Sequence, residues 1–208
     1  MDASQFVGLG IVGSLIALAI SALFGKSPAQ TVEEVGSSIG GAAADALDAF
    51  KYPLNQKMTE AEVFALAQDI SRIFGGRVDQ VELLTFAYIE SSFRPWVERH
   101  EAKISDHSVG LMQTLVGTAR DMYNKGYRRF DAPTRENLKN PVISMYYGAA
   151  YLDWLKKSYP NKGLEWWVRA YNGGPGHNYN SMTTSYWSKW KAAFKGYGGG
   201  AGVGFTFG

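Results

Sequence analysis

Hydrophobic and polar positions change their rhythm three times along the chain. Between Asp2 and Lys26 no charged residue occurs, and Phe6 to Phe24 is a run of 19 residues that are almost all apolar or small. As a helix that run spans roughly 28 Å, close to the hydrocarbon core of a bilayer. Residues 1–26 are therefore predicted to be an N-terminal transmembrane helix. Gly13, Ala17 and Ser21 recur every four residues, a small-residue face suited to close helix packing. A cleaved signal peptide and a buried core helix are the alternatives. The first expects a positive start, and Met1 to Gln5 carries only Asp2. Lys26 is the one basic residue near the run, and taken alone it places the rest of the chain on the cytoplasmic side.

Gly8-Leu9-Gly10-Ile11-Val12-Gly13 matches the G-x-G-x-x-G fingerprint of a dinucleotide site. That site needs a strand before the first glycine and a βαβ unit around it. Seven residues leave no room for the strand and no alternating pattern follows, so membrane packing is the better account of these glycines.

From residue 27 to 57 the rhythm becomes a weak helical one. Val35, Ile39, Ala43, Leu47 and Phe50 fall at three- and four-residue steps behind a Thr31/Glu34 capping box. This reads as a small-residue helical spacer. Residues 58–195 then show strong helical periodicity. Thr59 and Glu62 cap a helix carrying Val63, Leu66, Ala67, Ile70 and Phe74, with Gly75-Gly76 as its stop. Asp79 and Glu82 open the next, through Val81, Leu84 and Tyr88 to Glu90. Asn140-Pro141 makes an N-cap and first-turn pair ahead of Ile143, Tyr147, Ala150, Tyr151 and Trp154. After a turn at Asn161-Lys162-Gly163 a further helix reaches about Asn172, where Gly173-Gly174-Pro175-Gly176 ends it. No period-2 run stands out, so the predicted class is mainly α. Seven of the last thirteen residues are Gly, and 196–208 reads as a flexible tail.

Composition narrows the chemistry. The 208 residues include no cysteine, which excludes a disulfide scaffold, a thiol nucleophile and a cysteine-bound metal centre. The net charge of +2 is too small to suggest nucleic acid as a partner. Residues 1–57 hold three Lys/Arg against five Asp/Glu, while 58–208 hold eighteen against fourteen and all six tryptophans. A mildly basic, aromatic body suits an anionic polymer with apolar faces, such as a glycan; aromatics serving only as core are the plainer alternative. His100, His107 and His177 lack metal-ligand spacing, and no metal or other cofactor is expected.

Glu90 is the carboxylate the pattern singles out. Leu83, Phe86 and Ala87 lie seven, four and three residues before it, so it shares a stripe with apolar neighbours. Partial burial there disfavours the charged form and raises the pKa, as a general acid near neutral pH requires. Ser91-Ser92-Phe93 and Pro95 follow, which puts the carboxyl at the lip of a loop.

Three short motifs occur in order: Glu90-Ser91-Ser92-Phe93, Gly110-Leu111-Met112-Gln113, and Ala170-Tyr171-Asn172-Gly173-Gly174-Pro175-Gly176. With Asn140-Pro141 and Gly148-Ala149-Ala150-Tyr151-Leu152 between them, the chain resembles the soluble lytic transglycosylase (SLT) family over residues 60–195. The catalytic domains of that family share a lysozyme-like fold related to goose-type lysozyme. The resemblance implies cleavage of the β-1,4 bond between N-acetylmuramic acid and N-acetylglucosamine in peptidoglycan. By that resemblance Glu90 would protonate the leaving oxygen and then serve as base on the muramic 6-hydroxyl, closing a 1,6-anhydro ring. In that family the substrate's N-acetyl oxygen stabilises the intermediate, which implies that no second carboxylate of the kind ordinary glycosidases use is required here.

The same resemblance implies that Met112 and Gln113 line the glycan groove, Gln113 bonding an N-acetyl or hydroxyl group. Tyr171 would bond near the Glu90 carboxyl, and Asn172 would support the groove. Core packing is the alternative for Met112 and a helix cap for Asn172; Ser108 reads equally as a groove residue or a loop serine. Glu98, Glu101 and Asp106 fall in a charged loop, and of these Asp106 is the candidate partner for a hydrolytic reaction. The chain departs from the family's common pattern at Arg94, Val116 and Gly173, where Asn, Pro and Ala are usual. The reading is a membrane-anchored peptidoglycan lytic transglycosylase working on glycan strands, in a phage virion during entry or with other proteins of an envelope machine in a bacterial inner membrane facing the periplasm. A hydrolytic muramidase and a non-catalytic glycan-binding or membrane-penetration protein are its rivals.

Overall fold

A computed structural model describes residue 52, residues 54–176 and residues 179–200. The apolar run 6–24, the Thr31–Phe50 periodicity, His177 and residues 201–208 lie outside the described residues. Among the described residues no helix is long and apolar enough to cross a membrane.

In chain order the elements are α1 (Glu60–Ile73), α2 (Gln80–Ser91), β1 (Glu98–Glu101), β2 (Asp106–Val109), β3 (Thr114–Leu115), α3 (Val116–Asn124), a short 3-10 turn (Asn137–Lys139), α4 (Pro141–Ser158), α5 (Leu164–Gly173) and α6 (Ser181–Gly196). The caps behave as their residue types dictate. Thr59 and Glu62 exchange bonds at the start of α1, and Asp79 and Glu82 do the same for α2. The Asn140 side chain accepts from the Val142 and Ile143 amides ahead of Pro141.

Helix α2 is the axis of the fold. Glu82 to Ala87 are buried without interruption, and the helix packs against α1, α4 and α6. Phe86 meets the rings of Tyr171 and Trp190, so α5 and α6 close over the face of α2 that leads to Glu90. Two carboxylates below this core are fully buried and matched. Glu82 receives Lys156 Nζ at 2.6 Å, and Asp153 accepts from Arg77 at 2.7 Å and from Tyr127 at 2.8 Å. Unpaired, either charge would be costly there.

Within the mainly α body the structure departs from the expected loop between Val97 and Leu115. The expected charged loop is an antiparallel sheet in the order β1-β2-β3, with His100 opposite His107, Arg99 opposite Ser108 and Ser108 opposite Leu115. Its strands are four, four and two residues long, too short for a hydrophobic alternation to show. The alternation is one of charge: Glu98, His100 and His107 take one face, Arg99, Glu101 and Ser108 the other. Glu98 fastens the first face by pairing with His107, Arg135 and Lys139.

Two helices lacked a strong sequence signal. Short α3 borrows its N-terminal cap from β2, since the Asp106 carboxylate accepts from Gly117 N–H at 2.9 Å. Helix α6 buries Thr183, Trp187, Trp190 and Phe194, a helical stripe, and continues through Gly196. There the chain turns back, the Gly199 amide donating to the Phe194 carbonyl at 2.8 Å.

Candidate active site

The last turn of α2 carries Glu90, and the residues after it hold that turn in place. The Ser91 hydroxyl donates to the Ala87 carbonyl at 3.0 Å. Ser92 and Phe93 both take the left-handed region, at φ 51° and 66°. The reversal buries the Phe93 ring, and its carbonyl accepts from Met58 N–H at 3.0 Å. Glu90 therefore sits at a helix end that the following turn ties down, beside the cleft.

The Gly110-Leu111-Met112-Gln113 turn is shaped by two close approaches. Gly110 has φ 80°, and a Cβ there would stand 2.0 Å from the Leu138 carbonyl oxygen, so only glycine fits. Gln113 is itself left-handed at φ 46°, held by its side-chain amide, which donates to the Val97 and Gly110 carbonyls at 2.8 and 3.0 Å. With the amide hydrogens engaged by these two carbonyls, the group Gln113 can still offer to the cleft is its side-chain oxygen, an acceptor.

A cleft of about 190 Å3 opens between this turn, the hairpin and the helices. Glu90, Ser108, Gln113, Tyr171 and Asn172 line it, together with Arg99, Glu101, Ile104, Thr114, Leu115, Thr118 and Tyr151. Five of the six sequence-singled positions thus meet at one cavity. Met112 does not. Its side chain is fully buried against α4, where a Cβ at Gly148 would come within 2.9 Å of it. The turn that sends Gln113 to the cleft sends its neighbour into the core, so what Met112 contributes is a backbone carbonyl.

That carbonyl changes the place of Tyr171. The Tyr171 hydroxyl donates to Met112 O at 2.9 Å and lies 3.3 Å from the Thr114 hydroxyl. The group on Glu90 is Tyr186 of α6, whose hydroxyl donates to Glu90 Oε1 at 2.5 Å. The buried stripe of Thr183, Trp187, Trp190 and Phe194 beside it marks α6 as a helix. Nothing local ties Tyr186 to a carboxylate 96 residues earlier.

Other expected roles shift as well. The Ser108 hydroxyl donates to Glu101 Oε1 at 3.0 Å, so its donor is engaged by the hairpin. Asn172 is in the last turn of α5, and the cap is Gly174 at φ 77°, which frees Asn172 to face the cleft. Asp106, the candidate hydrolytic partner, is bonded to the Gly117 and His107 amides and is not among the cleft residues. It is a helix cap.

Glu90 is half-buried, with its carboxyl surrounded by protein. That burial pushes its pKa up to about 7, against the pull of the Tyr186 bond and of the Arg99 charge, while the Glu101 charge adds to the rise. Tyr171 and Tyr186 are driven above the ordinary phenol value by burial and then by Glu90, so both are neutral donors at any working pH. The arrangement can give a proton near neutrality and take it back. Among the described residues no group of three or more His, Cys, Asp or Glu could hold a metal ion.

Residues 74–194, more than half of the chain, match the family model described as the transglycosylase SLT domain. The chain is 35% identical over 107 residues to a membrane-bound lytic murein transglycosylase C of Sodalis glossinidius, covering 48% of this chain and 28% of that protein. It is 29% identical over 117 residues to the protein of the same description from Cronobacter sakazakii, covering 53% and 31%. The chain thus matches less than a third of the length of these curated relatives.

Proposed function

The chain belongs to the lysozyme-like transglycosylase SLT family, and from that membership we propose that it is a peptidoglycan lytic transglycosylase with Glu90 as its acid and base. The observation that carries the proposal is the Glu90 carboxyl, held half-buried at the cleft with a pKa of about 7. Protonated Glu90 gives its hydrogen to the glycosidic oxygen as the bond from muramic C1 breaks, and the N-acetyl oxygen bonds to C1. Glu90, now ionised, is stabilised by the Tyr186 hydroxyl. It then takes the proton of the 6-hydroxyl as O6 displaces the N-acetyl oxygen from C1, which closes the anhydro ring and restores the acid.

The rest of the cleft supports binding. Gln113 offers an acceptor for an N-acetyl N–H, Asn172 a further amide, and Tyr151 and Tyr171 aromatic surface for a sugar. Ser108 acts at one remove, through Glu101. The uncharged run 6–24 supports membrane anchoring, and the curated relatives are membrane-bound proteins by description. Delivery from a phage virion during entry reconciles that anchor with Lys26, which by itself directs the catalytic residues away from the wall.

Clearing of a cell-wall suspension tests the activity. Wild type clears it, Glu90→Gln does not, and both sediment with the wall. Clearing by Glu90→Gln, or by neither protein, overturns the proposal.

A further inference from the structure

Besides Glu90, two charged residues line the cleft, Arg99 and Glu101, and none of the three motifs contains them. Both come from β1, two residues apart and so on one face of the strand. Arg99 Nε donates to Glu101 Oε1 at 2.5 Å, and the hydroxyl of Ser108, which stands across from Arg99 in the register, donates to the same oxygen. The rear face of the hairpin is pinned by Glu98 to His107 and the 135–139 segment. An ion pair is thereby built into the wall of the cavity that holds the acid.

We propose that the Arg99–Glu101 pair is a positioning element of the active site that acts on Glu90 through space, its two charges pulling the Glu90 proton in opposite directions. The inference rests on the reading of Glu90 as acid and then base. A group with both duties works best when neither protonation state is strongly favoured. Arg99 alone favours the carboxylate and Glu101 alone favours the acid. Fastened together, they leave Glu90 near the balance that burial and Tyr186 set.

The other titratable groups at the cleft or bonded to Glu90 carry no charge. Tyr186 from α6, Tyr171 from α5 and Tyr151 from α4 are all raised by burial above the ordinary phenol range and stay neutral. Partial burial works to raise Glu101, but its bonds from Arg99 and Ser108 outweigh that and keep it ionised. The charges that act on Glu90 among the described residues are then those of β1.

The test is a pair of variants of the full chain, Glu101→Gln and Arg99→Gln, with kcat/KM on purified sacculi measured against pH at low salt. Glu101→Gln leaves Arg99 unopposed and moves the alkaline limb to lower pH, whereas Arg99→Gln moves it to higher pH. Each shift is on the order of half a pH unit for charges beside a half-open cleft, and shrinks at high salt. Titration of the Glu90 carboxyl by carbon NMR reads the same shifts without turnover. Limbs and midpoints that stay put, or move the same way in both variants, overturn the inference and reduce the pair to a hairpin brace. Opposite NMR shifts in a protein that releases no product uphold the pair and overturn the proposed reaction.

Discussion

Replacing Tyr186 by Phe removes one hydroxyl from the site and leaves the ring that packs in the core. That hydroxyl donates to Glu90 Oε1 at 2.5 Å, and a hydrogen bond to a charged group contributes roughly 1.5–3 kcal/mol. The bond strengthens as Glu90 ionises, so its loss favours the protonated form. At about 1.4 kcal/mol per pH unit, the Glu90 midpoint rises from about 7 by roughly one to two pH units. The sign is set by burial: the Tyr186 bond is the largest of the effects opposing it, and without that bond burial acts with less opposition. In the first half-reaction the proton is partly transferred at the transition state, so part of the same stabilisation is lost from the barrier. A fall in kcat of roughly tenfold follows. The assay is the rate of muropeptide release from sacculi across pH, beside a carbon NMR titration of Glu90 and a thermal melt. The expected result is an alkaline limb moved upward, a lower kcat and, at pH 5 where Glu90 is protonated, a melting temperature close to wild type. A limb that stays in place or moves to lower pH refutes the reasoning.

Two further outcomes follow from the same groups. A carboxyl raised from 4.5 to about 7 favours folding fully below pH 4.5, and that contribution is lost as pH climbs to 7. Above that, ionised Glu90 costs the fold about 3 kcal/mol, so Glu90→Gln melts several degrees higher than wild type at pH 8 and no higher at pH 4. An equal gain at both pH values contradicts the burial argument. Asp106→Ala removes the cap of α3 and costs about 1 kcal/mol in a denaturant melt, with kcat/KM unchanged. A loss of roughly a hundredfold instead returns Asp106 to the chemistry.

What could be read from the sequence was local. The Thr59, Asp79 and Asn140 caps are decided by residues within one turn, and all three helix starts stand where those residues put them. The raised pKa of Glu90, which burial causes, was signalled by the apolar Leu83, Phe86 and Ala87 one and two turns back on its own helix. What escaped was long-range or made of charge. Strands Glu98–Glu101 and Asp106–Val109 are too short and too polar for a hydrophobic period to register, and what ties them across the ladder is the antiparallel pairing with the Ser108–Glu101 bond. Tyr186 reaches Glu90 only because α6 closes over α2 through Trp190 and Phe86. Met112 shows the limit of a motif: adjacent to Gln113 in sequence, it points the opposite way because Gln113 is left-handed and Gly148 leaves room in the core.

Mass spectrometry of the fragments released from purified sacculi addresses the whole account at once. Wild-type chain is predicted to leave muramic ends one water lighter than reducing ends, because O6 takes the place of water at C1, and Glu90→Gln is predicted to release nothing. Reducing muramic ends from wild type, or any anhydro product from Glu90→Gln, would contradict it.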